Sequence, residues 1–249
     1  MRLSRLPMMS SLLLWGLLWE AVGRAGLVPI VPPLTEVVVT FGRLLGTETF
    51  VAAVWNALAS FALGLVLAIV IGIPLGVLMG RVAAADRLLG LWVNVFASAP
   101  LTALVPVLML LFGLGTTTVV VTVVLFALWI IVLDTRAGIR DVSPSLVEMA
   151  QAFGASRAAV YRKVLFFAAL PEILAGVRLG FIRAVKGVVI GQLLVSIIGL
   201  GELFELYSRN FLMREFWALT LGLFVFALVG SAAIGLLERR VEYYAASRG

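Results

Sequence analysis

Residues 50–79, FVAAVWNALASFALGLVLAIVIGIPLGVLM, carry no charged side chain. A bilayer core is crossed by about 20 apolar residues in a helix, so a run of this length belongs in lipid and not in a water-soluble core. Five further apolar segments follow the same pattern, roughly 8–24, 88–112, 118–138, 179–199 and 216–237. Spanning strands would be about ten residues long and alternate in character, whereas these runs are long and continuous. The expectation is therefore an all-α polytopic membrane protein with about six transmembrane helices. Composition agrees: 63% of residues are hydrophobic and 13% charged, with a mean hydropathy of +1.16. Cysteine and histidine are both absent. That excludes disulfides, thiolate or imidazole metal sites and Ser-His catalytic sets.

The net charge of +6 reads as topology, not as affinity for nucleic acid. With the N-terminus inside, 15 of the 19 Lys and Arg residues fall on the cytoplasmic side, and only Arg24, Arg43, Arg209 and Arg214 fall opposite. The positive-inside rule then puts both termini in the cytoplasm. The first segment resembles a secretory signal, but Trp15, Trp19 and Glu20 occupy its later part and no small-x-small site follows, so an uncleaved first helix is expected. Pro29, Pro32 and Pro33 break any helix beyond it, and 27–46 reads as an extended connector entering a surface helix at Thr35. Two units result: 1–49, the first helix with its periplasmic Pro-rich connector, and 50–249, the transmembrane domain proper.

Inside the spans, Gly72, Gly76 and Gly80 lie on one helix face, and the pairs Gly176/Gly180 and Gly187/Gly191 repeat the four-residue spacing. Such ridges allow close helix–helix approach, within the chain or between chains. Pro100 and Pro106 interrupt the third span, where a bend or a solute path would accommodate them. Neutral polar residues there include Asn56, Ser98, Thr102, Gln192 and Ser196. Gln192 and Ser196, one turn apart, suit either a pore surface or an interhelical hydrogen bond. Arg183 and Lys186, read as lying near the cytoplasmic start of the fifth span, suit either headgroup contact or a basic mouth for an anionic solute. The tentative path is thus Ser98, Thr102, Lys186, Gln192 and Ser196. No nucleophile–base pair, paired carboxylates or phosphate loop accompanies them, so an enzyme is not expected.

The largest cytoplasmic loop holds the segment least like the rest, VEMAQAFGASRAAVYRKVLFF (147–167). Ser143-Pro144 is a helix start and Gly154 a helix stop. Between them Leu146, Met149, Ala150 and Phe153 fall on one apolar face. A second helix follows, capped at Ser156, and Pro171 opens the next long one. An isolated helix this short is marginal in water, so its apolar face needs a partner, either the chain's own helix ends or a groove on another subunit.

Glu148-Met149-Ala150 with Gly154 six residues after the Glu resembles the EAA–Gly loop of permease subunits of bacterial ABC importers. The similarity extends through LDTRAGIRDVSPSLVEMAQAFGAS (133–156), ALPEILAGVRLG (169–180) and APLTALVPVLMLLFGLG (99–115), and looks closest to the nitrate/sulfonate/taurine branch. The resemblance implies a type I importer permease fold in the bacterial inner membrane. Its partners would be a second permease copy, two cytoplasmic ATPase subunits and a periplasmic substrate-binding protein. Leu146, Glu148, Met149, Ala150, Phe153 and Gly154 would form the coupling element. No cofactor is implied in this chain, since the partner ATPase would bind ATP and magnesium. The solute would be a small anion such as a sulfonate, taurine, nitrate or an aromatic carboxylate, with a neutral pyrimidine precursor as the alternative. Met149 stands where the family usually has Ala. Phe166-Phe167 replaces the Leu-Pro often found thirteen residues after the Gly, which predicts a straighter helix before re-entry. An ATP-independent channel or secondary transporter is the rival; those proteins commonly couple ions through mid-membrane charges, and the polar groups read here at mid-span are neutral.

Overall fold

A computed structural model describes residues 6–195, 197 and 199–246, apart from the side chains of 6–9, 157, 233, 234 and 237–246. All regular structure among these residues is helical. Helix α1 (Leu6–Arg24) is followed by turns and the short α2 (Leu34–Leu44), as the prolines require. Then come α3 (Glu48–Arg81), α4 (Ala83–Ser98), a 3₁₀ turn (Leu101–Leu104), α5 (Val105–Phe112) and α6 (Thr116–Asp141). The loop segment forms α7 (Pro144–Ala152), then α8 (Arg157–Ala159), a π-helical stretch (Val160–Leu165) and α9 (Phe166–Ala168). The chain ends in α10 (Leu170–Val195), α11 (Gly199–Arg209) and α12 (Met213–Ala246).

Helix α6 is the axis, with α3 and α10 packed along it. Apolar side chains gain little by leaving lipid for one another, so close backbone approach has to supply the contact. Glycines provide it on both sides. On α3, Gly64, Gly72, Gly76 and Gly80 face Val123, Ile131, Thr135 and Ile139 in turn. A Cβ on Gly76 would sit 2.6 Å from the Thr135 Cβ and 2.8 Å from the Val132 carbonyl oxygen. On α10, Gly176, Gly180, Gly187 and Gly191 face Asp134, Ile131, Val123 and Thr122. The glycine ridges are therefore filled within the chain.

The order of these contacts sets the topology. Residue numbers rise together along α3 and α6, so the two helices run parallel, while α10 runs antiparallel to both. A parallel α3 and α6 require the intervening 83–112 to return across the layer. It does so as a broken span, α4 and α5 meeting at 96°. Pro100 occupies the break, with no N–H to offer the Phe96 carbonyl. Pro106 does not bend anything: it lies in the first turn of α5, where its missing N–H has no helical partner to lose. Helix α12 antiparallels α10, with Gly230 against the Phe181 ring and Gly235 against Arg178. Phe61, Phe181 and Phe226 tie α3, α10 and α12 together, with ring centroids 5.1 to 6.0 Å apart.

Among the described residues, Glu48–Arg81, Thr116–Asp141 and Met213–Ala232 are long and apolar enough to cross a membrane, and the bent pairs α4–α5 and α9–α10 make up to five spans. The sixth expected segment is helical as α1, and Leu12, Leu13, Leu14, Trp15 and Leu17 on it are exposed. The far end of α1 is tied down. Glu20 accepts from the Thr35 N–H and hydroxyl at 2.9 Å, and the Trp19 indole donates to the Pro32 carbonyl at 3.0 Å and meets the Trp217 ring edge-on at 5.2 Å. Helix α2 buries Val37, Thr40 and Leu44 and packs on α12.

Candidate functional site

Segment 142–169 lies at the end of the bundle where α3 and α6 finish and α10 begins. Gly138 on α6 touches Glu172 on α10 there, and the Arg81 guanidinium at the end of α3 lies 5.7 Å from the centre of the Tyr161 ring. The same end is braced by one carboxylate that receives two arginines: Asp86 of α4 pairs with Arg136 and Arg140 of α6, each at 2.6 Å. This brace joins residues about fifty positions apart, and nothing in the local pattern signals it.

Helix α7 starts at Pro144 as its sequence dictates, although the Ser143 hydroxyl bonds the Ser145 hydroxyl (2.7 Å) and leaves the capping role unfilled. Its C-terminus closes with both bonds of a Schellman motif. The Ala155 N–H donates to the Ala150 carbonyl at 3.0 Å, and the Gly154 N–H to the Gln151 carbonyl at 2.9 Å. Gly154 adopts φ 77°, the left-handed conformation that a Cβ disfavours.

The two faces of α7 divide differently from the sequence expectation. Val147 and Ala150, with Ala155 beyond the turn, face inward onto a small second core of Ile139, Val160, Leu165, Ala169 and Ile173. Ala150 therefore belongs to the seat of the helix and not to its outer stripe. The outer stripe is Leu146, Met149 and Phe153, which are 39%, 52% and 86% exposed. Glu148 is exposed as well. The helix is thus fixed by its own inner contacts while a bulky apolar row at i, i+3 and i+7 remains uncovered.

After Gly154, Ser156 caps the next helix by accepting from the Ala159 N–H at 3.3 Å. The straight entry expected from Phe166-Phe167 does not occur: the chain bends by 62° between α9 and α10. The π-helical stretch loosens the hydrogen-bond ladder just before the bend, and Pro171 cannot donate to Phe167 just after it. Phe166 and Phe167 meet edge-on at 5.8 Å, with Phe167 60% exposed.

Of the five proposed path residues, the four that are described divide into one buried residue, Gln192, and three exposed ones, Ser98, Thr102 and Lys186. Gln192 is fully buried; its Oε1 accepts from the Leu200 N–H at 3.0 Å and its Nε2 donates to Asn56 Oδ1 at 3.3 Å. It satisfies an otherwise orphaned N–H at the start of α11 and joins that helix to α3, the interhelical option and not a lining one. Gly201 allows this seating, for a Cβ there would collide with the Gln192 carbonyl. Ser196 lies outside the described residues. Ser98 and Thr102 are exposed on either side of the α4–α5 break. Lys186 is exposed too, but it is not near the helix start. Because α10 begins at Leu170, before the apolar run, Lys186 stands several turns in, next to Gly187, which packs on Val123 and Phe126 of α6.

Comparison with known proteins fits this arrangement. Residues 72–243 match the family described as binding-protein-dependent transport system inner membrane component. The carnitine transport permease protein OpuCD of Listeria monocytogenes is 33% identical over 196 residues, covering 76% of this chain and 84% of that protein. The taurine transport system permease protein TauC of Escherichia coli is 30% identical over 74% of this chain and 69% of its own length. A putative aliphatic sulfonates transport permease protein of Bacillus subtilis, SsuC, is 28% identical over 90% of this chain and 82% of its own. In fold, the chain resembles the inward-facing MetNI methionine ABC transporter, with a TM-score of 0.66 over 78% of this chain and 96% of that one at 24% identity. The chain belongs to the family of inner membrane components of binding-protein-dependent transport systems.

Proposed function

We propose that this chain is the membrane permease of an ABC importer for a small solute, working as one of a pair with two cytoplasmic ATPase subunits and an external binding protein. The carrying observation is the exposed row Leu146–Met149–Phe153 on a helix whose other face is already buried. A hydrophobic row at a bundle end, outside the apolar belt, gains by entering a groove on another subunit. Glu148 adds a polar rim to that contact, and Gly154 fixes the elbow. Movement of the docked helix would pass through the small core under α7 to Ile139 of α6 and Ile173 of α10, and so to the span axis. ATP and magnesium belong to the ATPase, and this chain performs no chemistry of its own. Residues 50–249 carry the transport role and 1–49 add a helix and connector. The excess of Lys and Arg supports a cytoplasmic α7 end and an external Trp19–Trp217 end. Kinship to taurine, sulfonate and carnitine permeases supports a small solute that bears a sulfonate or carboxylate group.

The test is co-purification of the chain with its ATPase. Intact chain retains the ATPase, whereas Phe153→Asp loses it while inserting and melting normally. Retention of the ATPase by that variant, or solute uptake without any ATPase, overturns the reading.

A further inference from the structure

One titratable group of α10 has no place in the packing just described. Lys186 is exposed on a helix whose adjoining residues, Val185, Gly187 and Val188, are buried, and among the described residues no carboxylate pairs with it. Its neighbour Gly187 touches Val123 and Phe126, at the middle of the apolar stretch of α6. The charge therefore stands at mid-membrane height. An unpaired cation facing lipid at that depth costs about 3 kcal/mol or more. The cost disappears if this face of α10 borders water.

A second feature reaches the same height. Helix α4 runs antiparallel to α6, with Asp86 at Arg136 and the Phe96 ring stacked on Trp129 at 4.8 Å. Ser98 therefore lies near the level of Phe126, beside the 96° break, with Thr102 just beyond it. Both hydroxyl-bearing residues are exposed, and α5, which leaves the break, packs against α10. A broken backbone at membrane depth is stable where it lines a wet cavity.

We infer that Lys186 is the charge-selecting point of the solute path, receiving the anionic group of a small sulfonate, carboxylate or phosphonate. Ser98 and Thr102 supply hydroxyls at the same level. The inference rests on the permease reading and narrows its substrate class. A solute carrying a permanent quaternary ammonium and no excess negative charge is disfavoured at this point, although three relatives are permeases for carnitine or for glycine betaine, carnitine and choline.

The chain has no cysteine, so Ile190→Cys, one turn beyond Lys186, introduces its sole thiol. In membranes holding the full complex, this thiol is treated with the sulfonatoethyl or the trimethylammonioethyl methanethiosulfonate. The thiolate attacks the reagent's sulfenyl sulfur, forming a disulfide and expelling methanesulfinate, and the label is read on the permease chain. Both reagents should react. The anionic-to-cationic rate ratio should exceed that of the Lys186→Gln background by about tenfold, and Lys186→Arg should preserve it. Val189→Cys serves as a second reporter if Ile190→Cys folds poorly. Failure of both reagents at both positions means that the face lies in lipid or against a sealed partner, with the lysine drawn to a headgroup, and overturns the proposal; so does a ratio unchanged by Lys186→Gln. ATPase co-purification is scored separately. Its loss with the ratio intact would remove the importer reading and leave the charge site standing.

Discussion

The α3–α6 seam and the outer face of α7 are both rows of small or apolar residues at helical spacing, yet they have opposite fates. Gly72, Gly76 and Gly80 are closed against α6 by the chain itself. Leu146, Met149 and Phe153 remain 39%, 52% and 86% exposed among the described residues. In lipid an exposed apolar side chain has no free-energy debt, so Leu63, Val70 and Leu110 on the outer surface of the spans carry no message. At the end of the bundle the same exposure is unfavourable, and the docking proposed for α7 would relieve it. Exposure becomes informative only when the solvent at that height is known.

The seam should break hardest. Gly76→Leu drives a side chain into the Val132 carbonyl and Thr135, and the expected loss of stability is about 3 kcal/mol or more, read as a collapsed melting transition in detergent. If the variant melts normally, the seam is looser than its geometry implies. Phe153→Asp should leave the melting temperature unchanged and weaken ATPase binding by about 2 kcal/mol or more, roughly thirtyfold, in a titration with the purified ATPase. Gln192→Leu sharpens the contrast from inside the bundle. It orphans the Leu200 N–H and the Asn56 side-chain Oδ1, an expected cost of about 1–3 kcal/mol with ATPase binding retained. Gly154→Ala should cost about 1 kcal/mol through its left-handed φ, and Gly154→Asn less, measured by hydrogen exchange at Ala155. Ala150→Asp and Glu148→Gln separate the two faces of α7 most finely. The first disturbs the small core under the helix, whereas the second changes stability by no more than about 0.5 kcal/mol.

The loop was legible to a large degree because its signals are local. Proline at a first helical position and glycine at a left-handed stop act through backbone sterics, and α7 occupies Pro144–Ala152 with Gly154 at φ 77°. The surface helix after Pro33 was legible for the same reason. Less legible was the face on which each residue falls. Ala150 shares a helical stripe with Met149 and Phe153, and only the position of the second core decided that it points inward. The bend before α10 was misread because it needed neither Pro nor Gly at Phe166-Phe167; a π-helical stretch and Pro171 produced it. Gln192 is the clearest case. From sequence, a buried clamp and a pore-lining amide look identical, and the partners that settle its place, Asn56 and Leu200, lie on other helices.

By itself the sequence determined that the chain lives in a bilayer, that it is helical, where the short helix α7 starts and stops, and how its charges divide. Each of these follows from hydropathy, backbone sterics or charge, which act over a few neighbouring residues. Only the tertiary structure decided that the glycine ridges close internally, that Asp86 braces two arginines, that Ala150 faces inward and that Lys186 lies level with the middle of α6. Those outcomes depend on which helix lies alongside which and at what level, and residues far apart in sequence fix that jointly.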